Sequence, residues 1–352
     1  MWKYSIAYTV PLVVYFSLQG RGWVCFAALI YLFGLLPLLE LLLRGNTHNM
    51  NEDAEQKAGA ARVYDWILYC FVPMQYLLWY YFLMQMQDAS LLWWERLGKI
   101  TAFGLSCGVL GINVAHELGH RSKTYEQLLS KVLLASTLYL HFFIEHNKGH
   151  HLRVATEEDP ASARKGETVY GFYIRSIRDS WISAWKIQLK ENSKHGIGFW
   201  SLENQMWWFQ MVQLCIILII YFFFGGWILL YYLGAALMGM LLLETVNYIE
   251  HYGLVRKRNE SGYYERTMPV HSWNSNHSLG RVVLLELTRH SDHHYQANRK
   301  YQILRHFDES PQMPTGYPGM MLLSLIPPLW FWVMHREIRR YKSTHTAGMD
   351  LA

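Results

Sequence analysis

Charge is scarce in this sequence. Of 352 residues 17% are Asp, Glu, Lys or Arg, against 52% hydrophobic and 16% aromatic, too little charge for an ordinary water-soluble protein. Cysteine is as sparse: Cys25, Cys70, Cys107 and Cys215 all lie in apolar runs and none forms a CxxC pair. That pattern excludes a disulfide framework and a thiolate metal site, and leaves the four as buried fillers. No basic run interleaved with exposed aromatics is present, so nucleic acid is excluded as a partner. The net charge of +5 fits basic loops on the inner side of a membrane instead. Met1 to Gly20 has no A-x-A-like cleavage site followed by polar sequence, and a second apolar run follows at once. It reads as a retained helix, not a signal peptide.

What the chain does have is apolar length. Crossing the hydrocarbon of a bilayer takes about 20 apolar residues as a helix, and six segments approach that: 4–19, 23–43, 63–86, 99–118, 207–224 and 227–249. They read as three hairpins, the last turned by Gly225-Gly226. Mean hydropathy is only +0.02, so long polar segments must leave the lipid. If the N-terminus is inside, the outer connections carry only Arg21 and Arg96 as basic residues. Loop charge then places both termini and the segments 119–206 and 250–352 in the cytoplasm. The apolar stretches 128–144 and 319–334 read as helices dipping into the membrane. Helical periodicity without strand alternation predicts one all-α integral membrane domain over residues 1–352, six spans with a cytoplasmic helical metal-binding region.

Nine of the 17 histidines fall into four groups: His116 and His120; His146, His150 and His151; His251; and His290, His293 and His294. Residues three or four apart share a helix face, so 116/120, 146/150 and 290/293/294 each aim imidazoles at one spot. The groups end the fourth and sixth spans or lie in the segments beside them, where four regions of chain can meet just below the membrane. Nine neutral nitrogens exceed what one metal uses, so two metals are implied. Imidazole suits iron, zinc, copper and nickel alike. A site beneath an apolar bundle, without thiolates and with coordination positions left for oxygen, favours iron.

Glu117, Glu145, Glu250 and Asp292 each adjoin one of these histidines in sequence and are candidates to accept the second N–H of a ligating ring. His277 is a candidate supporting residue, although it has no partner at i+3 or i+4. His141, His271 and His306 stay open, whereas His48, His195, His335 and His345 are isolated and read as structural or solvated. The rival reading of His116-Glu-Leu-Gly-His120 is hydrolytic, because it matches HExxH with Glu117 as the base of a zinc intramembrane protease. That reading leaves seven grouped histidines without a role. A metal transporter would want polar residues along a path through the spans, which offer few beyond Glu40, Asp65, Asn113 and Glu244.

The segments His-Glu-Leu-Gly-His, Glu-His-Asn-Lys-Gly-His-His, Asn-Tyr-Ile-Glu-His-Tyr-Gly-Leu and Arg-His-Ser-Asp-His-His resemble the histidine boxes of bacterial membrane alkane 1-monooxygenases. Asp159-Pro-Ala-Ser, His271-Ser-Trp-Asn-Ser-Asn and the stretch from Arg305 to Pro318 are similar to that family too. The third box separates the chain from fatty-acid desaturases. The resemblance implies a diiron centre on His116, His120, His146, His150, His151, His251, His290, His293 and His294, in the bacterial inner membrane. It implies O2 as co-substrate, an n-alkane hydroxylated at its end, and electrons from rubredoxin, reduced in turn by an NADH-dependent reductase. With no CxxC pair before Ala352, that donor is expected on a separate chain or a domain outside this one. A related hydroxylase or desaturase acting on fatty acyl or alkyl-aromatic substrates is the nearest alternative. The substrate would pass along the spans to the metals, and the face of the second span around Leu32 is where chain length would be limited.

Overall fold

The structure, a computed structural model, describes residues 2–43 and 45–346. Met1, Arg44, residues 347–352 and the side chain of His345 lie outside the described residues. All regular structure among the described residues is helical, with only two isolated β-bridges, Arg258 to Tyr264 and Asn274 to Gln312.

Among the described residues five helices are long and apolar enough to cross a membrane: Gly22–Leu42, Val63–Gln85, Trp93–Gly119, Gln205–Phe224 and Gly226–His251. The chain is thus a multi-pass membrane protein. The segment expected as a first span is helical, a 3-10 turn at Trp2–Tyr8 running into Thr9–Gln19, but Lys3 and its tyrosines keep it out of the group of five. Gly225 takes φ +89° between the last two spans, a conformation open to glycine at little cost. Only 11% of the apolar window of Gln205–Phe224 is buried within the protein, so Leu218, Phe222 and Phe223 face outward. An apolar surface of that extent needs lipid.

Trp93–Gly119 is the central helix, 67% buried over its window. It packs on Gly226–His251 at backbone distance. A Cβ on Gly239 would stand 2.5 Å from Cys107 Cβ, and one on Gly104 2.7 Å from Met238 Cβ. Small residues allow this approach, which maximises van der Waals contact where no hydrophobic effect drives helices together. Both helices end in histidines, so their contact sets the separation of His116 from His251.

The two stretches expected to dip as single helices are each broken. The first ends at Ala135, and Leu138 takes φ 55° before helix resumes at Phe142. The second is divided at Leu325-Ile326, because Pro327-Pro328 cannot continue the hydrogen-bonding of Tyr317–Ser324. Before the last histidine group, Leu285 and Glu286 also take positive φ, 54° and 61°. Buried Glu286 holds this turn: it accepts from Lys3 Nζ at 2.7 Å, Tyr4 Oη at 2.9 Å and Arg281 Nε at 2.7 Å.

Candidate metal centre

Two π-helical turns deliver the first two histidine groups. Cys107–Asn113 is π-helical and leads into the short α-helix Val114–Gly119 that carries His116, and His146–His150 is itself a π turn. Such turns are rare and frequent at functional sites. His251 is the last residue of its span, and His290–His294 form the short helix after the Glu286 turn.

The nine imidazoles gather into two sets. His116, His120, His146, His151 and His293 have ligand nitrogens within 4.8 Å of one another, and so do His150, His251, His290 and His294. Two of the groupings expected from spacing differ from this arrangement. His146 shares its set with His151, five residues on, because a π turn brings i and i+5 to one side, while His150 belongs to the other set. His290 and His294 stay together, but His293 crosses to the first set.

The Nε2 atoms face inward at 2.9 Å for His116 to His293, 3.0 Å for His293 to His151, 3.1 Å for His151 to His146 and 3.0 Å for His146 to His120. In the second set they are 3.2 Å for His150 to His294, 2.8 Å for His294 to His290 and 3.2 Å for His290 to His251. Two nitrogens about 2.1 Å from one ion stand about 3.0 Å apart when their bonds meet at 90°, and about 3.4 Å at the tetrahedral angle. The observed edges match the wider-coordination case, and five donors exceed the four of a closed zinc site. The donor sets fit metals that keep open positions.

A cavity lined by Leu32, Leu36, Leu105, Val109 and Leu242 is also bordered by His116, His146, Glu250 and His290. A largely apolar cavity among the spans thus borders ligands of both sets.

A family model described as fatty acid desaturase matches residues 91–324. The chain is 40% identical over 320 residues to alkane 1-monooxygenase 1 of Pseudomonas aeruginosa, covering 90% of this chain and 83% of that protein. It is 38% identical to alkane 1-monooxygenase of Ectopseudomonas oleovorans, covering 100% and 87%, and 37% to alkane 1-monooxygenase 2 of P. aeruginosa, covering 97% and 92%. The chain belongs to the alkane monooxygenase family.

In this chain the carboxylates beside the histidines have roles that the sequence did not predict. Glu117 does not meet a ring: it ion-pairs with Arg121 at 2.7 Å and accepts from Tyr301 N–H at 3.2 Å. Committed there, it is no free base, and its two flanking histidines belong to a set of five, so the HExxH hydrolase reading fails on geometry. Glu145 pairs with Arg153 at 2.8 Å, and Asp292 with Arg299 at 2.8 Å and the Arg305 N–H at 2.7 Å. A neighbour in sequence points about 100° away on a helix, hence these partnerships. Glu250 alone of the four reaches a ligand, 3.1 Å from His290 Nε2.

The carboxylate that sequence reasoning missed is Asp159. His150 Nδ1 donates to its Oδ2 at 2.8 Å, and Ser162 Oγ donates to the same atom at 2.6 Å. It stands in a loop nine residues from its histidine, and only the similarity of Asp159-Pro-Ala-Ser to the family pointed to it. His277 is not in either set and hydrogen-bonds Ser275 Oγ at 2.9 Å. His141, His271 and His306 are also outside both sets. His48 and His195 are exposed, and His335 meets Tyr252 Oη at 2.9 Å.

Burial first, and then the neighbouring imidazoles, hold His120, His146, His151, His290, His293 and His294 well below the ordinary histidine value. They are therefore neutral, the state in which imidazole binds metal. His150 is the exception. Burial opposes its charge, yet the Asp159 carboxylate outweighs that and raises it.

Proposed function

We propose that this chain is an alkane 1-monooxygenase, which hydroxylates the terminal carbon of medium- to long-chain n-alkanes at a pair of irons. The observation that carries this is the apolar cavity bordering ligands of both imidazole sets, in a chain similar to alkane 1-monooxygenases over nearly its whole length. His116, His120, His146, His151 and His293 would hold one iron, and His150, His251, His290 and His294 the other. Bound there, the irons supply what side chains lack, the use of O2 to oxidise a C–H bond: alkane, O2, two electrons and two protons give 1-alkanol and water.

The protein's part is placement. Leu32, Leu36, Leu105, Val109 and Leu242 give a featureless chain no polar alternative to lying along the cavity, so its end reaches the metals first. The same side chains exclude water. Asp159 accepts the Nδ1 proton of His150, which fixes the tautomer and leaves Nε2 free to ligate.

Electrons would come from rubredoxin and its NADH-dependent reductase. His120 and His151, the two half-exposed ligands, lie on the side a soluble donor can approach, and Leu152 beside them is 73% exposed. We read the helix at 4–19 as a sixth span, three hairpins in all, in the bacterial inner membrane with both termini and the histidine boxes cytoplasmic. The scarcity of Lys and Arg on the opposite side supports this.

The test is the full chain in lipid nanodiscs, supplied with octane, O2, rubredoxin, its reductase and NADH. Two irons per chain and 1-octanol as product are expected. One metal per chain, or no alcohol despite two irons and a reduced donor, would overturn the reading.

A further inference from the structure

The two imidazole sets are unequal, five donors against four, and of the four carboxylates that adjoin a ligand histidine in sequence one has no Lys or Arg partner among the described residues. Glu117, Glu145 and Asp292 each have an arginine within 2.8 Å. Glu250, 1% exposed, has no arginine or lysine partner among the described residues. Its Oε1 accepts from Tyr317 Oη at 2.8 Å, and its Oε2 lies 3.1 Å from His290 Nε2. Buried charges are paired or coordinate metals, so an ionised Glu250 would need a cation beside it.

The atom that Glu250 approaches settles which. His290 Nε2 is the inward nitrogen, also 2.8 Å from His294 Nε2 and 3.2 Å from His251 Nε2. Once that nitrogen ligates it carries no proton, and a carboxylate oxygen 3.1 Å away would face a lone pair unless one cation lies between them. The separation equals the nitrogen–nitrogen edges within each set, which is how neighbouring donors around one ion are spaced. Glu250 also borders the cavity where it meets His290.

We infer that Glu250 is a carboxylate ligand of the metal held by His150, His251, His290 and His294. This raises the second set to five donors and makes the two metals chemically distinct, one among imidazoles only and one with an anionic oxygen donor bordering the alkane cavity. The inference rests on the two-metal reading above. Tyr317 then acts as a positioning residue that aims the carboxylate.

The experiment uses the full chain in nanodiscs, loaded with 57Fe and read by metal content and Mössbauer spectra, which do not depend on turnover. Wild type is expected to hold two irons in two quadrupole doublets of equal area. Glu250→Gln keeps the shape and can still meet Tyr317, but an amide is a poor ligand. It should weaken the second iron by at least the 10- to 100-fold that loss of a ligand's hydrogen-bonding partner costs, and should change one doublet only. Glu250→His restores a ligand and should recover two irons, which a packing role would not allow. Tyr317→Phe should keep both irons and shift the same doublet. If wild type lacks two irons, the diiron reading fails. If it holds two and Glu250→Gln leaves both doublets and affinities unchanged, or removes both irons alike, Glu250 is no ligand of the second metal.

Discussion

His150 Nδ1 donates to Asp159 Oδ2 across 2.8 Å, with both groups inaccessible to water. This bond joins the π turn to the loop after it and directs the other nitrogen of His150 inward. Asp159→Asn can present an amide N–H in place of the acceptor and so favour the wrong tautomer. The expected result is a 10- to 100-fold loss of affinity for the metal of the His150 set, seen as one iron lost on dialysis against a chelator while the other is kept. Retention of both at wild-type affinity would remove Asp159 from the site.

The metal-free protein should weaken in acid. An unfolded chain takes up protons at histidine near pH 6.5, whereas burial keeps His120, His146, His151, His290, His293 and His294 neutral in the fold. Stability from these six is therefore complete above about pH 6.5 and is lost as pH falls below it, at up to about 1.4 kcal/mol per ring per pH unit. His150 opposes them: its raised value adds stability below its unfolded value, which is lost as pH rises through the folded one. Six outweigh one. Thermal unfolding of the apoprotein from pH 8 to 5 should show a falling Tm, and a Tm higher at pH 5 than at pH 7.5 would contradict neutral rings. Metal release should begin in the same window, because protons compete for the same nitrogens.

The backbone contact between the two histidine-bearing spans should be unforgiving. A side chain on Gly239 meets Cys107 Cβ and the backbone beyond it, whereas a Cβ on Gly234 meets only Ile100 Cγ2 at an ordinary 3.6 Å. Gly239→Val is expected to cost about 1–3 kcal/mol through overpacking and to lower metal loading, since it parts His116 from His251. Gly234→Ala should do neither. Metal content and Tm of the two variants decide it, and full loading of Gly239→Val would mean the helix ends adjust independently of this contact.

How much of this was legible in the sequence follows from the range of each interaction. The apolar runs and the Gly225 turn are local patterns: five of the six expected segments are helices long and apolar enough to cross a membrane, and the nine grouped histidines gather into two sets. Which rings share a metal was not local: a five-residue π repeat at His146–His150 defeats the three-and-four rule, and His293 crosses to the first set. The carboxylates failed for a related reason. Adjacency in sequence turns a side chain away from its neighbour's face, so Glu117, Glu145 and Asp292 found arginines four to eight residues off. Asp159 reaches its histidine through a loop that no periodicity describes. The glycine contacts of the spans are written as Gly104-Leu-Ser-Cys-Gly108, a small-xxx-small signal that was there to be used.

Leu32 lies on the cavity wall in the π-helical turn Tyr31–Leu35 of the second candidate span, 6% exposed, with Leu36 on the wall beside it. An apolar tube distinguishes chain lengths weakly by attraction, because each further methylene adds only about 0.8 kcal/mol of burial. Discrimination must come from where the tube is blocked. Leu32→Trp adds an indole to that wall, so substrates that need the space beyond it should lose kcat/KM while shorter ones keep theirs. The product profile from an equimolar C6 to C16 alkane mixture is expected to shift towards shorter 1-alkanols, with both irons retained because no ligand is touched. An unchanged profile at normal iron content would place the length limit elsewhere on the cavity wall, and a uniform loss across all lengths would mean that Leu32 supports the helix and not the substrate.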